Sequence, residues 1–203
     1  MKLRDDVRIA GDRTVGEWFA LRPRLLDSND AEAWQLAFDG FFKKRLDSRY
    51  FEPIRALQNL DEKKGEGFSI VAIQCSLIEF LGSTMLGETY RYGSEDDGSG
   101  IVAPVLAWLG FRAKASTIPY YSDSKRMFVW FLRNAPPFKD IFTKRLAKDF
   151  YAGVRCGLMH EARTKRGWVI RWRPTRGASI DQMTKTLWRD DFQRALEEFV
   201  DWY

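Results

Sequence analysis

Apolar side chains recur at helical spacing through most of the chain. One stripe is made of aromatic residues at three- and four-residue steps, namely Trp34, Phe38, Phe41 and Phe42. A stripe with this period is typical of a helix that buries one face. Pro53 suits the first turn of a helix, and it precedes a second stripe of Ile54, Leu57 and Leu60. This part of the chain is therefore predicted to form successive antiparallel helices.

A third stripe leads to the only histidine of the sequence. Its apolar members, again at helical steps, are Ile141, Phe142, Leu146, Phe150, Val154 and Leu158. Arg155 therefore lies well inside a predicted helix, where its guanidinium needs water, an anion or a carboxylate as a partner. Gly153 and Gly157 lie at helical spacing and predict a close approach of another helix. His160 follows Arg155 by five residues, and we expect this stretch to carry the chemistry.

A strip of polar residues lies along an otherwise apolar helix that is predicted over 68–85. Its members are Ser69, Ser76, Glu79 and Ser83. Apolar residues on nearly every other side are typical of a central helix. Glu79 either binds and orients Arg155 or lies on the solvent side of this helix, and the sequence leaves both interpretations open.

A basic segment follows His160, with six cations and no acid among them: Arg163, Lys165, Arg166, Arg171, Arg173 and Arg176. Val169, Ile170 and a turn at 174–177 predict a β-hairpin before the last helix. Trp168 and Trp172 are an even number of residues apart, so they share one face of a strand. Arginines bind phosphates and exposed indoles stack on unpaired bases, which makes all eight residues candidate RNA contacts. In the alternative interpretation, the tryptophan face packs on the helices.

Composition predicts one globular domain over 1–203. A chain of 203 residues, 45% of them hydrophobic, can bury a substantial core. The net charge of +5 and the isoelectric point near 9.2 permit a phosphate-bearing partner without requiring one. Asp5 and Asp6 lie where a signal peptide needs an apolar core, and no run approaches the roughly 18 apolar residues of a membrane span. We therefore expect a cytoplasmic protein without a membrane partner.

The sequence indicates neither a metal site nor a cofactor. Cys75 and Cys156 lie in apolar helical contexts without a CxxC pattern or a second histidine, which favours reduced, buried thiols over a disulfide or a zinc site. Three acids at 93–100 lack the ligand spacing of an EF-hand, so a solvated loop is predicted there. A short buried helix is predicted over 101–111.

The run VRCGLMH, read as R-x4-H from Arg155 to His160, resembles the R-x4-6-H signature of the HEPN superfamily. These are small all-helical proteins of bacterial toxin–antitoxin, antiphage and RNA-processing systems. A weaker similarity extends over 49–57 and 67–82, which resemble the preceding helices of bacterial members. Two positions depart from the family pattern. Many active members have Asn, Asp or His where this chain has Cys156, and toxins modified by a nucleotidyltransferase partner have Tyr where it has Ala162.

The resemblance implies an all-α fold, an antiparallel helical bundle of HEPN type, here with a small β-hairpin before the last helix. It also implies a metal-independent endoribonuclease that cuts single-stranded RNA through its own 2′-hydroxyl and leaves a 2′,3′-cyclic phosphate. His160 is then the acid–base group, and Arg155 clamps the phosphate through two parallel hydrogen bonds. The alternative is a non-catalytic HEPN module that binds a nucleotide, RNA or a protein. Cys156 favours that module, whereas the intact Arg155–His160 pair favours the enzyme.

The five-residue spacing of Arg155 and His160 indicates whether one protomer can form the site by itself. A five-residue step separates two side chains on an ideal helix by roughly 140°, so one copy does not aim Arg155 and His160 at one point. In the family, two protomers pair so that their motifs face each other, which implies a homodimer. A toxin–antitoxin or defence system implies an antitoxin or defence-system protein as a further partner. In a purely structural interpretation, Arg155 pairs with Glu79 or a helix C-terminus, and His160 meets the helix dipole.

Overall fold

The computed structural model describes residues 4–60, 65–91 and 119–203, and these are mainly helical, with several short strands. The prediction of a mainly α-helical fold is thereby confirmed. The predicted loop at 93–100 and the predicted helix at 101–111 lie outside the described residues.

The helical and strand segments follow one another closely. The α-helical segments, in chain order, are α1 (Val15–Leu21), α2 (Ala31–Ala37), α3 (Lys44–Leu46), α4 (Glu52–Gln58), α5 (Glu66–Leu86), α6 (Ser124–Asn134), α7 (Lys144–Phe150), α8 (Cys156–Glu161) and α9 (Arg189–Trp202). The strands are β1 (Arg8–Ala10), β2 (Arg13–Thr14), β3 (Thr89–Tyr90), β4 (Tyr120–Tyr121), β5 (Val169–Arg171), β6 (Ile180–Asp181) and β7 (Thr186–Trp188). Short 3-10 helices lie at Arg22–Leu26 and Phe138–Asp140.

Two π-helical turns join α2, α3 and α4 into one unbroken helical stretch. They lie at Phe38–Lys43 and Asp47–Phe51. Pro53 lies in the first turn of α4, as predicted, although the preceding π-helical turn makes α4 continuous with α3. A proline ring inside an α-helix collides with the carbonyl four residues earlier, which here belongs to Arg49. Arg49 lies in the second π-helical turn, and the wider turn accommodates the ring without ending the helix.

The described residues up to Gln74, together with Tyr203, form one compact unit, and those from Cys75 to Trp202 form another. The boundary falls within α5. In the first unit, β1 pairs with β2 in antiparallel fashion, and α1 begins at a capping box in which Thr14 and Glu17 bond reciprocally. One cluster of its core contains the buried residues Ala10, Leu21, Ala33 and Phe41. The single-domain prediction stays a prediction.

The core of the second unit is a network of phenylalanine rings. Its buried members are Phe128, Phe131, Phe138, Phe142, Phe150, Phe192 and Phe199. The ring centroid of Phe150 lies 6.1 Å from that of Phe128 and 5.6 Å from that of Phe192, so this side chain connects α6, α7 and α9. The predicted stripe into the motif is confirmed at Phe142, Phe150, Val154 and Leu158, all of which are buried. This network fixes the helix that carries Arg155.

A three-stranded sheet in the order β5-β7-β6 precedes the last helix. Strand β6 pairs with β7 as a hairpin, but β5 runs parallel to β7, so the predicted hairpin around 174–177 is wrong. Asp191 of α9 explains the difference, because its carboxylate accepts hydrogen bonds from Arg173 at 2.7 Å and from the Gly177 backbone at 2.9 Å. These bonds attach the connection to α9 and prevent it from folding back on β5.

Helix α5 confirms the predicted central helix. Among the described residues it alone has the length and apolar composition of a membrane span, although the sequence pattern indicated none. A core helix of a soluble protein has the same composition, and Ile70, Val71, Leu77 and Ile78 of α5 are fully buried. We therefore assign α5 to the protein core. A cytoplasmic location stays a prediction.

Candidate functional site

One helical stretch carries both residues of the motif. Thr143 caps its start by accepting a hydrogen bond from the Leu146 backbone. A π-helical turn at Tyr151–Arg155 joins α7 to α8, and the stretch ends before Ala162, which adopts a left-handed conformation with φ of 52°. Arg155 thus lies inside a helix, as predicted, and His160 lies in its last turn.

Arg155 is held by a carboxylate on α5. Its Nη2 lies 3.5 Å from Oε2 of Glu79, across 76 residues of sequence. Both side chains are largely buried, with 20% of Arg155 and 17% of Glu79 exposed. Of the two interpretations of Glu79, the contact with Arg155 is the one that the structure shows.

The other carboxylate oxygen of Glu79 has its own donors. Ser124 Oγ donates to Oε1 at 2.6 Å, and the hydroxyl of Tyr121 donates to it at 3.3 Å. These bonds fix the carboxylate from the start of α6, so that Oε2 faces Arg155. On the other side of the guanidinium, the ring of Tyr151 lies 5.5 Å from its central carbon, a cation–π distance.

The groups around the pair stay neutral at physiological pH. Burial and the nearby charge of Glu79 together raise the pKa of Tyr121 to about 12. Burial also raises the pKa of Tyr151 and of Cys75 to about 12, although Arg155 opposes both shifts. A loss of protons from these groups therefore plays no part near neutral pH. Arg155 and Glu79 supply the charge of the cluster.

His160 lies in a different environment from Arg155. Its side chain is exposed at the C-terminal turn of the helix. In the part of the chain that the structure describes, the imidazole has no hydrogen-bonding partner. From Cys156 onward the helix is of the α type, so the five-residue step turns the two side chains about 140° apart. The structure brings Arg155 together with Glu79, and it leaves His160 on the surface.

The two glycines of the motif helix contact the segment that follows it. A β-carbon on Gly153 would lie 2.5 Å from Cδ1 of Trp168, and one on Gly157 would lie 2.4 Å from the carbonyl oxygen of Arg163. The chain turns back at Ala162, and the Lys165 backbone then donates to the Gly153 carbonyl at 2.7 Å. The close approach predicted from the glycines is real, but the expectation of another helix is wrong.

Trp168 belongs to the core. It is 3% exposed, its ring meets Phe150 edge-on at 5.1 Å, and its Nε1 donates to Asp149 at 3.0 Å. A buried indole cannot stack on a base, so the assignment of Trp168 to RNA stacking is wrong. Trp172 is 51% exposed and is free to do so. The two tryptophans therefore do not share a face.

Most cations of the basic segment have acidic partners that are distant in sequence or that precede the segment. Arg163 and Lys165 contact Glu161, Arg166 contacts Asp149, Arg173 contacts Asp191, and Arg176 contacts Glu198. Arg173 is the most constrained, because the Asp191 carboxylate is buried. The hydrogen bond from Gly177 and the pairing with Arg173 lower the pKa of Asp191, although burial alone would raise it. Arg171, which is exposed, has no ionic partner among the described residues.

A basic groove that the sequence did not indicate lies beside the motif helix. Its larger part is a cleft of about 840 Å³, lined by six cations: Lys125, Lys144, Arg145, Lys148, Arg166 and Lys185. These residues come from four separate segments of the chain, so no single run of basic residues in the sequence predicts the groove. The only signal is Lys144, Arg145 and Lys148 in the stripe that leads to the motif.

No family model matches the sequence, and neither a curated protein nor a solved structure matches it. The resemblance of VRCGLMH to the HEPN signature therefore stays a hypothesis. The function has to be argued from the geometry of the site.

Proposed function

We propose that this chain is a metal-independent endoribonuclease of HEPN type, with an antiparallel helical bundle as its fold. One observation carries the proposal: the guanidinium of Arg155 is fixed in a mostly buried polar cluster, yet 20% of the side chain is exposed. Glu79 contacts only Nη2, at 3.5 Å, and Tyr151 covers part of the guanidinium plane. The remaining N–H groups have no partner among the described residues and can bind phosphate oxygens in pairs.

Glu79 serves in this proposal as a positioning residue. A long arginine side chain loses rotamer freedom when it binds a phosphate, and a guanidinium that is already fixed loses less. Glu79 is itself fixed by Ser124 and Tyr121. The cluster therefore holds Arg155 ready for a phosphate before RNA arrives.

His160 is the proton-transfer group of the proposal. RNA supplies the nucleophile through its 2′-hydroxyl, which must lose a proton as its oxygen attacks the adjacent phosphorus. The bond from phosphorus to the 5′-oxygen breaks, and that oxygen must gain a proton. An imidazole exchanges protons near neutral pH, and the exposed ring of His160 is accessible to substrate. The products are a 2′,3′-cyclic phosphate and a free 5′-hydroxyl.

A homodimer completes the proposed site. Within one protomer, Arg155 faces Glu79 while His160 lies exposed about 140° away around the helix axis. A two-fold contact between motif helices brings the histidine of one protomer towards the arginine of the other. Toxin–antitoxin and antiphage systems are the settings in which we propose such an enzyme acts, with an antitoxin or defence-system protein as its partner.

A second function is favoured by a different observation. Glu79 already neutralises Arg155, and the neighbouring residue is Cys156, where active members of the family carry a polar side chain. These features suit a non-catalytic HEPN module that binds a nucleotide, RNA or a protein partner.

Complementation between two inactive variants separates the two functions. His160→Ala and Arg155→Ala should each fold, dimerise and lose cleavage of a labelled single-stranded RNA. Mixing them should restore part of the activity, because some heterodimers hold one intact arginine and one intact histidine on opposite chains. Cleavage should persist in EDTA, since proton transfer and charge stabilisation are assigned to side chains.

Two results would refute the ribonuclease. The chain has one histidine, so full cleavage by His160→Ala leaves the proposed acid–base role without a group. Cleavage that stops in EDTA and returns with Mg²⁺ contradicts the metal-independent mechanism. Lys139→Ala is the control, because it removes an exposed cation that has no ionic partner among the described residues and that belongs to neither the motif nor the candidate RNA contacts.

A further inference from the structure

The basic groove has two adjoining parts that share three lysines. The larger cleft of about 840 Å³ and a smaller one of about 390 Å³ are both lined by Lys125, Lys144 and Lys148. Arg133 and the half-buried indole of Trp130 line the smaller part. The groove therefore runs along α6 and α7, with cations on both helices.

Most of its positive charge is not neutralised. Asp149, the one acid of the larger cleft, already binds Lys185 at 2.8 Å and Arg166 at 3.4 Å. Burial alone would raise the pKa of Asp149, but the hydrogen bonds that it accepts lower it overall. Among the described residues, no ionic partner contacts the exposed side chains of Lys125, Arg133, Lys144, Arg145 and Lys148. Five free cations along one groove create a strong attraction for an anion.

We propose that the basic groove binds the phosphodiester backbone of single-stranded RNA and leads it to Arg155. Lys125 and Arg133 are eight residues apart on α6, which is about 12 Å along the helix axis and more than one phosphate group spans. The ligand is therefore a chain of phosphates. Lysines bind such a chain as separate point charges, one phosphate at a time.

The indole of Trp130 favours a single-stranded nucleic acid over other polyanions. Unpaired bases stack on aromatic rings that line a binding groove, as the half-buried indole of Trp130 does, whereas bases inside a duplex do not offer their faces. The choice of RNA over DNA rests on the proposed function, because a 2′-hydroxyl nucleophile exists only in RNA.

The groove and the Arg155 cluster are carried by the same two helical stretches. Ser124, which donates to Glu79, directly precedes Lys125 of the groove. Ala152 lines the larger cleft and precedes Arg155 by three residues on the motif helix. In the proposal, a phosphate chain in the groove follows these two helical stretches to the arginine that clamps the scissile phosphate.

The test measures RNA binding apart from cleavage. In full-length protein carrying His160→Ala, the affinity for a fluorescein-labelled single-stranded RNA is measured by anisotropy over a range of salt concentrations. The groove variant adds Lys125→Gln, Lys144→Gln and Lys148→Gln. Its control instead adds Arg8→Gln, Arg22→Gln and Lys139→Gln, which are exposed residues without ionic partners among the described residues. Both triples remove three positive charges, and circular dichroism checks that both fold.

Loss of three phosphate contacts should reduce the slope of log affinity against log salt by about 2, since each contact to single strands contributes about 0.7. The same relation predicts a loss of affinity of roughly 50-fold at about 0.15 M salt. The control triple should bind nearly as well as its parent. Equal binding by the two triples would overturn the groove proposal.

Competition identifies the ligand. Polyphosphate and poly-glutamate of matched charge should displace the RNA less well than unlabelled single-stranded RNA does, because neither offers bases to Trp130. If polyphosphate displaced the labelled RNA as efficiently as unlabelled RNA does, the ligand of the groove would be an inorganic polyanion and the RNA proposal would fail. If poly-glutamate did so, the ligand would be an acidic protein. If the groove triple loses binding while the wild-type protein cleaves no RNA, the ribonuclease fails and the groove stands.

Discussion

Replacing Glu79 by glutamine tests whether the carboxylate holds Arg155 in place. The substitution keeps the size of the side chain and an oxygen that can accept from Ser124, but it removes the negative charge. The amide nitrogen of the new residue would then face the guanidinium, so that donors meet donors. We expect the free energy of unfolding to fall, because a largely buried cation loses its only ionic partner among the described residues.

The magnitude follows from distance and burial. Two unit charges 3.5 Å apart attract by about 5 kcal/mol at an effective dielectric constant near 20. Desolvation of both groups offsets part of that attraction, and hydrogen bonds to charged groups contribute about 1.5 to 3 kcal/mol net. We therefore expect a loss of about 2 to 3 kcal/mol, measured by urea unfolding at pH 7.

The matched control is Glu198→Gln. Glu198 lies closer to its arginine, at 2.7 Å from Arg176, but both side chains are mostly exposed, at 53% and 71%. If distance alone decided the loss of unfolding free energy, Glu198→Gln would lose more. Exposed pairs contribute at most about 1 kcal/mol, so burial instead predicts the larger loss for Glu79→Gln. A loss for Glu79→Gln no larger than that for Glu198→Gln would refute the reasoning. A double-mutant cycle with Arg155→Gln should show a coupling energy of about 1 to 2 kcal/mol.

Three further predictions concern the surroundings of the site. Gly153→Ala should lower the melting temperature and the free energy of unfolding, the latter by about 1 to 3 kcal/mol, because the added methyl group overpacks the contact although alanine is the better helix former. A stabilised variant would contradict the close contact. The free energy of unfolding should fall as pH rises from about 10 to 12, because the pKa of Tyr121 is raised to about 12 in the folded state and the unfolded chain releases that proton first. Tyr121→Phe should make this fall shallower, and an unchanged pH profile of that variant would refute the assignment. Arg173→Gln should lower the free energy of urea unfolding by about 1 to 3 kcal/mol, because buried Asp191 loses a charged partner. Arg171→Gln should change it by no more than about 0.5 kcal/mol. Equal losses would show that the contact with Asp191 is not stabilising.

Local patterns sufficed wherever neighbours in sequence decide the structure. The capping box of Thr14 and Glu17, the central helix and the stripe through Phe150 into the motif were all predictable, because helical periodicity and helix caps depend on residues a few positions apart. The placement of Arg155 inside a helix follows from the same periodicity. Pro53 lies in the first turn of α4, as predicted, but the π-helical turn that joins α4 to α3 was not predicted.

Charge partners over long distances were only partly predictable. The sequence offered Glu79 as one possible partner of Arg155, because a carboxylate inside an apolar helix needs a partner, but it left a position on the solvent side equally open, and only the structure shows the contact. Nothing in the basic segment after His160 showed that Asp149 and Asp191 would bind its arginines. Those acids lie 17 to 18 residues away, so only the folded chain brings them together.

The sequence by itself determined the central helix, the motif helix and the need of Arg155 for water, an anion or a carboxylate, because each depends on spacing along the chain. Only the tertiary structure decided which cations are free. It buried Trp168 against Phe150, paired Arg173 with Asp191, and left Lys144 and Lys148 unpaired in the basic groove. The physical reason is that free positive charge depends on the positions of all nearby carboxylates, and packing sets those positions, whereas adjacency in sequence does not.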